Sequence, residues 1–284
     1  LSPLDLDTDA LDYVALGDSF TEGVGDPYPP EQTAGRPAYR GWADRFAEHL
    51  AAHVPGLRYA NLAVRGKLMR QIVADQLPRA AELKPDLASL SAGGNDLLRP
   101  GADPDRLARI LERAVHRLQE AGADVVLFTG VNFSSGFMRL RIGTFARYYL
   151  NVRSIADRNG CYLVDQWSMR SLTDPRAWDT DRLHMSPEGH RRLALKVCET
   201  LGVRAEGSGD DDWPPAPPLD RRAARRADAQ WAREYFVPWV GRRLTGRSSG
   251  DSVAAKRPEP LPVGAPWTTG TRTGAGGEAA DHTR

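Results

Sequence analysis

From Tyr13 onward the chain alternates short apolar runs with longer stretches whose apolar residues recur every three or four positions. The short runs read as buried strands and the spaced ones as amphipathic helices. Strands are predicted at Tyr13 to Leu16, Leu57 to Val64, Asp86 to Ser91, Asp124 to Thr129 and Cys161 to Val164. Between them, Trp42, Phe46 and Leu50 mark one helix face, and Met69, Ile72, Val73 and Leu77 mark another, expected to end near Pro78 or soon after. Leu107, Ile110, Leu111, Val115 and Leu118 form the apolar face of a helix opening at Pro104. A further helix spans about Thr144 to Asn159, and the last opens at Pro187. Both prolines suit a first helical turn, where a missing N–H is no loss. Five strands alternating with helices predict an α/β fold: a three-layer α/β/α sandwich around a five-stranded parallel sheet.

Past Leu201 the pattern changes. Residues 1–203 read as the α/β unit, 204–247 as a linker plus an Arg-rich amphipathic helical extension, and 248–284 as a disordered tail. Between Asp220 and Arg247 eight Arg stand against three acids, while Trp231, Tyr235 and Trp239 recur at helical spacing. Pro238 is expected to bend or break this helix. The aromatic stripe has three readings: packing on the α/β unit, membrane-surface contact through 220–247, or binding of a partner helix or nucleic acid. Packing within the chain is the default.

The composition adds few constraints. The chain has 284 residues, 41% hydrophobic and 26% charged, with a formal net charge of +1. No global field points to nucleic acid, and none is expected as a partner. No apolar run is long enough to span a bilayer, and no N-terminal segment has the pattern of a secretory signal, so a cytoplasmic protein is expected. Cys161 and Cys198 lack metal-ligand spacing; a disulfide between them is one reading, and two buried, reduced thiols are the expected one.

The chemistry begins at Gly17-Asp18-Ser19-Phe20, just past the carboxyl end of the first strand, where open α/β sheets bind ligands. Ser19 is either a nucleophile or a turn or N-cap serine. A nucleophilic serine needs a base and an oxyanion stabiliser. Gly66, Asn95, Asp181 and His184 follow in that order, each after a predicted strand. A metal reading of His184, Glu188 and His190 lacks an evident fourth partner, so neither metal nor cofactor is expected. The Gly-x-Ser-x-Gly elbow is absent, since Thr21 stands at its second glycine.

Four blocks together resemble the SGNH hydrolase superfamily, also called the GDSL family of esterases and lipases, over about Tyr13 to Leu201. They are Gly17-Asp18-Ser19-Phe20, with Phe where the family has Leu; Asn61 to Gly66; Gly93-Gly94-Asn95-Asp96; and Asp181-Arg182-Leu183-His184. The resemblance implies the flavodoxin-like fold of that superfamily and a serine hydrolase cleaving carboxylic esters through an acyl-enzyme, with a small-molecule ester as partner. It implies Ser19, Asp181 and His184 as catalytic residues, and the N–H groups of Ser19 and Gly66 with the Asn95 amide as the oxyanion hole. An acyltransferase or a sugar-ester deacetylase would use the same site, and a non-enzymatic binding protein is the remaining alternative. The long loops 25–41, 130–143 and 165–182 are expected to frame the pocket with Tyr28, Tyr39, Phe133, Phe137, Met138, Trp167 and Trp178.

Overall fold

The computed structural model describes residues 3–33, 38–133, 136–215, 220–238, 241, 250 and 253–265. Five strands are parallel neighbours: β1 (Ala10–Gly17), β2 (Gly56–Asn61), β3 (Leu87–Ser91), β4 (Asp124–Phe128) and β5 (Tyr162–Val164). A sixth, β6 (Arg257–Pro262), pairs antiparallel with β2, giving the order β5-β4-β3-β1-β2-β6. The five-stranded expectation is thus short by one strand, and the expectation of a disordered tail fails at these residues. Beyond residue 265 that expectation lies outside the described residues.

The sheet sits between two apolar layers because strand side chains alternate faces. From β1, Tyr13 and Ala15 join Trp42, Phe46, Leu193 and Val197, which belong to helices α2 (Gly41–Ala51) and α9 (Pro187–Leu201). Val14 and Leu16 join Met69, Ile72, Leu111, Val115, Val152 and Ile155 on the opposite face. These come from α3 (Met69–Asp75), α6 (Pro104–Glu120) and α8 (Ile142–Asn159). Both predicted proline starts are as expected: Asp103 caps α6, accepting from the N–H groups of Asp105 and Arg106, and Ser186 caps α9, accepting from Gly189 N. Pro78 does not close a helix. It stands in the first turn of α4 (Leu77–Leu83), after α3 has ended at Asp75. Cys161 and Cys198 are buried and unbridged. No helix among the described residues is long and apolar enough to cross a membrane.

The segment after α9 lies against the α/β unit. Trp213 donates its indole N–H to Ser171 O at 2.8 Å, with the Arg192 guanidinium 4.1 Å from its ring centroid. Helix α10 (Arg221–Trp231) follows and continues as a π-helical turn over Ala232–Phe236. The expected bend or break at Pro238 shows, among the described residues, as this widening just upstream of it, as suits a residue whose ring crowds the carbonyl four positions back. Trp239, Val240 and Leu244 of the expected stripe lie outside the described residues.

Candidate active site

Ser19 opens the short helix α1 (Ser19–Glu22), and Asp18 caps it, its Oδ1 accepting from Phe20 N at 3.0 Å. The N-cap role considered for Ser19 thus falls to its neighbour. A Cβ on Gly17 would stand 2.8 Å from Ser91 O, so β1 can turn into α1 this close to β3 only with glycine. The buried Gln76 side chain clamps the same residue, accepting from Gly17 N at 2.9 Å and donating to Gly17 O at 2.8 Å.

The loop after β2 is fastened to α1. Asn61 Nδ2 donates to Thr21 O at 3.0 Å, and Glu22 pairs with the Arg65 guanidinium and accepts from Arg65 N at 2.6 Å. Gly66 follows with φ +74°, a left-handed conformation that favours glycine. After β3, α5 (Gly94–Leu97) carries Asn95, whose amide donates to Asp18 Oδ2 at 3.0 Å and to Lys67 O at 3.1 Å. Three loop ends are thereby tied into one floor. Among the described residues, the backbone N–H groups of Ser19 and Gly66 donate to no protein acceptor.

Asp181 and His184 stand on the loop leading into α9. Asp181 Oδ2 lies 2.5 Å from His184 Nδ1, and Oδ1 accepts from the N–H groups of Leu183 and His184 at 2.9 Å each. Arg182 between them has φ +55°, an uncommon conformation for a side-chain-bearing residue. Burial pushes the Asp181 carboxyl up, but the His184 bond and charge and the two N–H groups outweigh it and hold it below its ordinary value. Asp18 goes the other way: burial pushes it up to about 6.

All five sequence-predicted residues line one cavity of about 400 Å³. No hydrogen bond joins Ser19 to His184 among the described residues; such a catalytic bond tightens on the way to the transition state. The rest of the lining is mostly apolar, including Phe20, Phe128, Phe133, Phe145, Tyr149 and Trp178. Phe20 also packs behind the serine, its ring centroid 5.9 Å from that of Trp42. Of the loop residues expected to frame the pocket, Phe133, Met138 and Trp178 line it; Tyr28, Tyr39 and Trp167 do not, and the Phe137 side chain is not among those described. Trp231 and Tyr235 enter the lining from the C-terminal segment, and Phe145 and Tyr149 from α8. Helical periodicity marks such residues as inward or aromatic but not as pocket walls. The three residues of the metal reading diverge: Glu188 pairs with Arg191 and Arg192, while the buried His190 accepts from Trp42 N and reaches Val24 O.

The profile of the GDSL-like lipase/acylhydrolase family matches residues 15–192. Among solved structures, TesA is 26% identical with a TM-score of 0.55, covering 67% of this chain and 97% of its own. LAE5, an alpha/beta hydrolase enzyme from the metagenome of Lake Arreo, Spain, is 25% identical with a TM-score of 0.57, covering 70% and 98%. Axe2, an acetylxylan esterase from Geobacillus stearothermophilus, shares the fold at 23% identity and a TM-score of 0.58, covering 68% and 95%. No curated protein matches the chain by sequence.

Proposed function

We propose that this chain, which belongs to the GDSL-like lipase/acylhydrolase family and is a carboxylic ester hydrolase, works through a covalent acyl-enzyme on Ser19. The observation that carries this reading is the 2.5 Å contact of Asp181 Oδ2 with His184 Nδ1 on the wall of the cavity that also holds Ser19.

Asp181 keeps the proton on Nδ1, so Nε2 has a free lone pair toward the cavity. His184 Nε2 takes the Ser19 proton as Oγ attacks the ester carbonyl. The carbonyl oxygen becomes an oxyanion, and the N–H groups of Ser19 and Gly66, which have no protein acceptor among the described residues, receive it. The Asn95 amide is the third donor, shared with Asp18 and Lys67. Collapse expels the alkoxide, which takes the proton back from Nε2. Water then repeats the sequence on the acyl-enzyme, releasing the carboxylic acid and restoring Ser19.

The apolar lining supports a hydrocarbon acyl group as the bound portion of the substrate. The test is Ser19→Ala together with a fluorophosphonate probe on the unaltered chain. Hydrolysis of p-nitrophenyl esters should vanish in the variant and the probe should mark Ser19. Labelling of another serine, or retained turnover, overturns the mechanism. Running chain lengths beside an acetylated xylose reports the acyl class, with longer acyl chains expected to win over the sugar acetate.

A further inference from the structure

The family match ends at residue 192, yet the cavity is completed by residues near 230. Trp231 and Tyr235 both line it, one helical turn apart. Their contacts converge on the loop that carries the acid and the histidine. Trp231 Nε1 donates to Asp181 O at 2.8 Å, and Tyr235 OH donates to Thr180 Oγ1 at 3.2 Å. Asp228 of the same helix pairs with Arg182 at 2.7 Å, and the Arg182 guanidinium lies 5.2 Å from the Trp231 ring centroid. The helix is held between two anchorages. Trp213 is pinned to Ser171 before it, and β6 is hydrogen-bonded to β2 after it.

Chemistry assigns a direction to this wall. In serine acyl transfer the carbonyl oxygen faces the oxyanion donors, and the leaving alkoxide must sit beside the imidazole that protonates it. Here the proposed oxyanion N–H groups, which donate to no protein acceptor among the described residues, belong to Ser19 and Gly66, after β1 and β2. Trp231 and Tyr235 hold Thr180 and Asp181, on the histidine's own loop. The C-terminal wall is therefore fastened to the loop that carries the imidazole, where the leaving alkoxide must be protonated.

We propose that Trp231 and Tyr235 are the specificity-determining residues for the alcohol portion of the ester, closing that side of the cavity against bulky alcohols. The assignment rests on the acyl-enzyme mechanism proposed above. It gives the segment outside the family match a direct part in substrate selection: this chain reads its alcohol with residues that the α/β unit alone does not supply.

The experiment uses the full chain and two ester series. One keeps a butyryl group and varies the alcohol from methyl through phenyl to 2-naphthyl; the other keeps p-nitrophenol and varies acyl length. Trp231→Ala should raise the kcat/KM ratio of 2-naphthyl over methyl butyrate by about tenfold or more, with the acyl-length order unchanged. Trp231→Phe keeps a ring but loses the N–H, and should hold the ratio near its original value. If Trp231→Ala fails to fold, Tyr235→Ala carries the test in the same direction, at a residue already 36% exposed. An unchanged alcohol ratio, or a shift confined to the acyl series, overturns the assignment. Fluorophosphonate labelling of the unaltered chain separates the two levels. Ser19 labelled with an unchanged alcohol ratio sinks the alcohol assignment alone, whereas Ser19 unlabelled sinks the serine mechanism and this assignment with it.

Discussion

Asn95 Nδ2 donates to Asp18 Oδ2 at 3.0 Å, so the amide proposed to meet the oxyanion already serves the residue that caps the Ser19 helix. Its second hydrogen goes to Lys67 O at 3.1 Å. An oxyanion must compete with both acceptors. A dedicated side-chain donor is worth about 10²–10³ in turnover, and a shared one belongs at the lower end. Asn95→Ala should therefore lower kcat by about 10² with little change in KM. Steady-state kinetics on one p-nitrophenyl ester decides it. An unchanged kcat would leave Asn95 as a tie between loops and nothing more.

Asp181 is bound differently at its two oxygens, and that difference makes Asp181→Asn informative. An asparagine can still accept the N–H groups of Leu183 and His184 through Oδ1. Its amide nitrogen would then face His184 Nδ1 as a donor and force the proton to Nε2, where it blocks uptake of the Ser19 proton. The loop should survive while kcat falls on the order of 10³–10⁴. Circular dichroism reports the fold, and the fluorophosphonate labelling rate should fall in parallel with kcat. Full activity would remove Asp181 from the mechanism.

Two buried groups pull stability in opposite directions with pH. Burial pushes His190 down to about 4. Between that value and the ordinary histidine range the unfolded chain binds the proton and the folded chain does not, so acidification through this window costs stability. Asp18, pushed up to about 6 by burial, binds its proton more readily when folded, so its contribution is present in acid and is lost as pH rises through about 6. A variant that cannot titrate separates them. His190→Asn should be less stable than the unaltered chain at pH 7. That deficit should shrink by about 3 kcal/mol on the way to pH 4, as the unfolded chain takes up the proton that the buried imidazole refuses. Urea unfolding at several pH values measures the gap, and a gap constant with pH would show that His190 titrates normally.

What the sequence made legible follows the range of the forces involved. The five parallel strands came from runs of local hydrophobicity, and the cavity residues came from blocks at strand ends, where a parallel sheet brings loops to one rim. Ser19, Gly66, Asn95, Asp181 and His184 do share one cavity. Long-range partners left no such mark. Nothing around Gln76 indicates that its amide clamps Gly17, fifty-nine positions away. Trp231 stood out as an aromatic at helical spacing, but its partner Asp181 is fifty positions back. The sixth strand was hidden by its own composition. Pro258, Pro260 and Pro262 alternate with Arg257, Glu259 and Leu261, which reads as a disordered tail. Such a strand keeps its N–H groups on one side only, so it can pair along one edge and no further, which is what β6 does at the end of the sheet.

That edge strand is fixed by charge as well as by its ladder. Lys256, the residue before it, donates from Nζ to Asp44 Oδ1 at 2.7 Å and to the carbonyls of Tyr39 and Arg40 at 2.7 and 2.8 Å. The pair is almost dry, with side-chain exposures of 7% and 3%. Burial pushes the ammonium below its ordinary value, against the pull of Asp44. Tyr28 and Tyr59 donate their hydroxyls to the same carboxylate at 2.9 and 2.7 Å. Removing one partner of a buried pair costs about 3–5 kcal/mol, because the other charge stays behind. Here the two tyrosines still serve Asp44, so Lys256→Met should cost about 3 kcal/mol, the lower end of that range. Adding Asp44→Asn should recover part of the loss, because the charge stranded by the first change is gone. Urea unfolding of the two variants and the unaltered chain makes the comparison. A Lys256→Met chain as stable as the original would show that β6 is held by its backbone ladder alone.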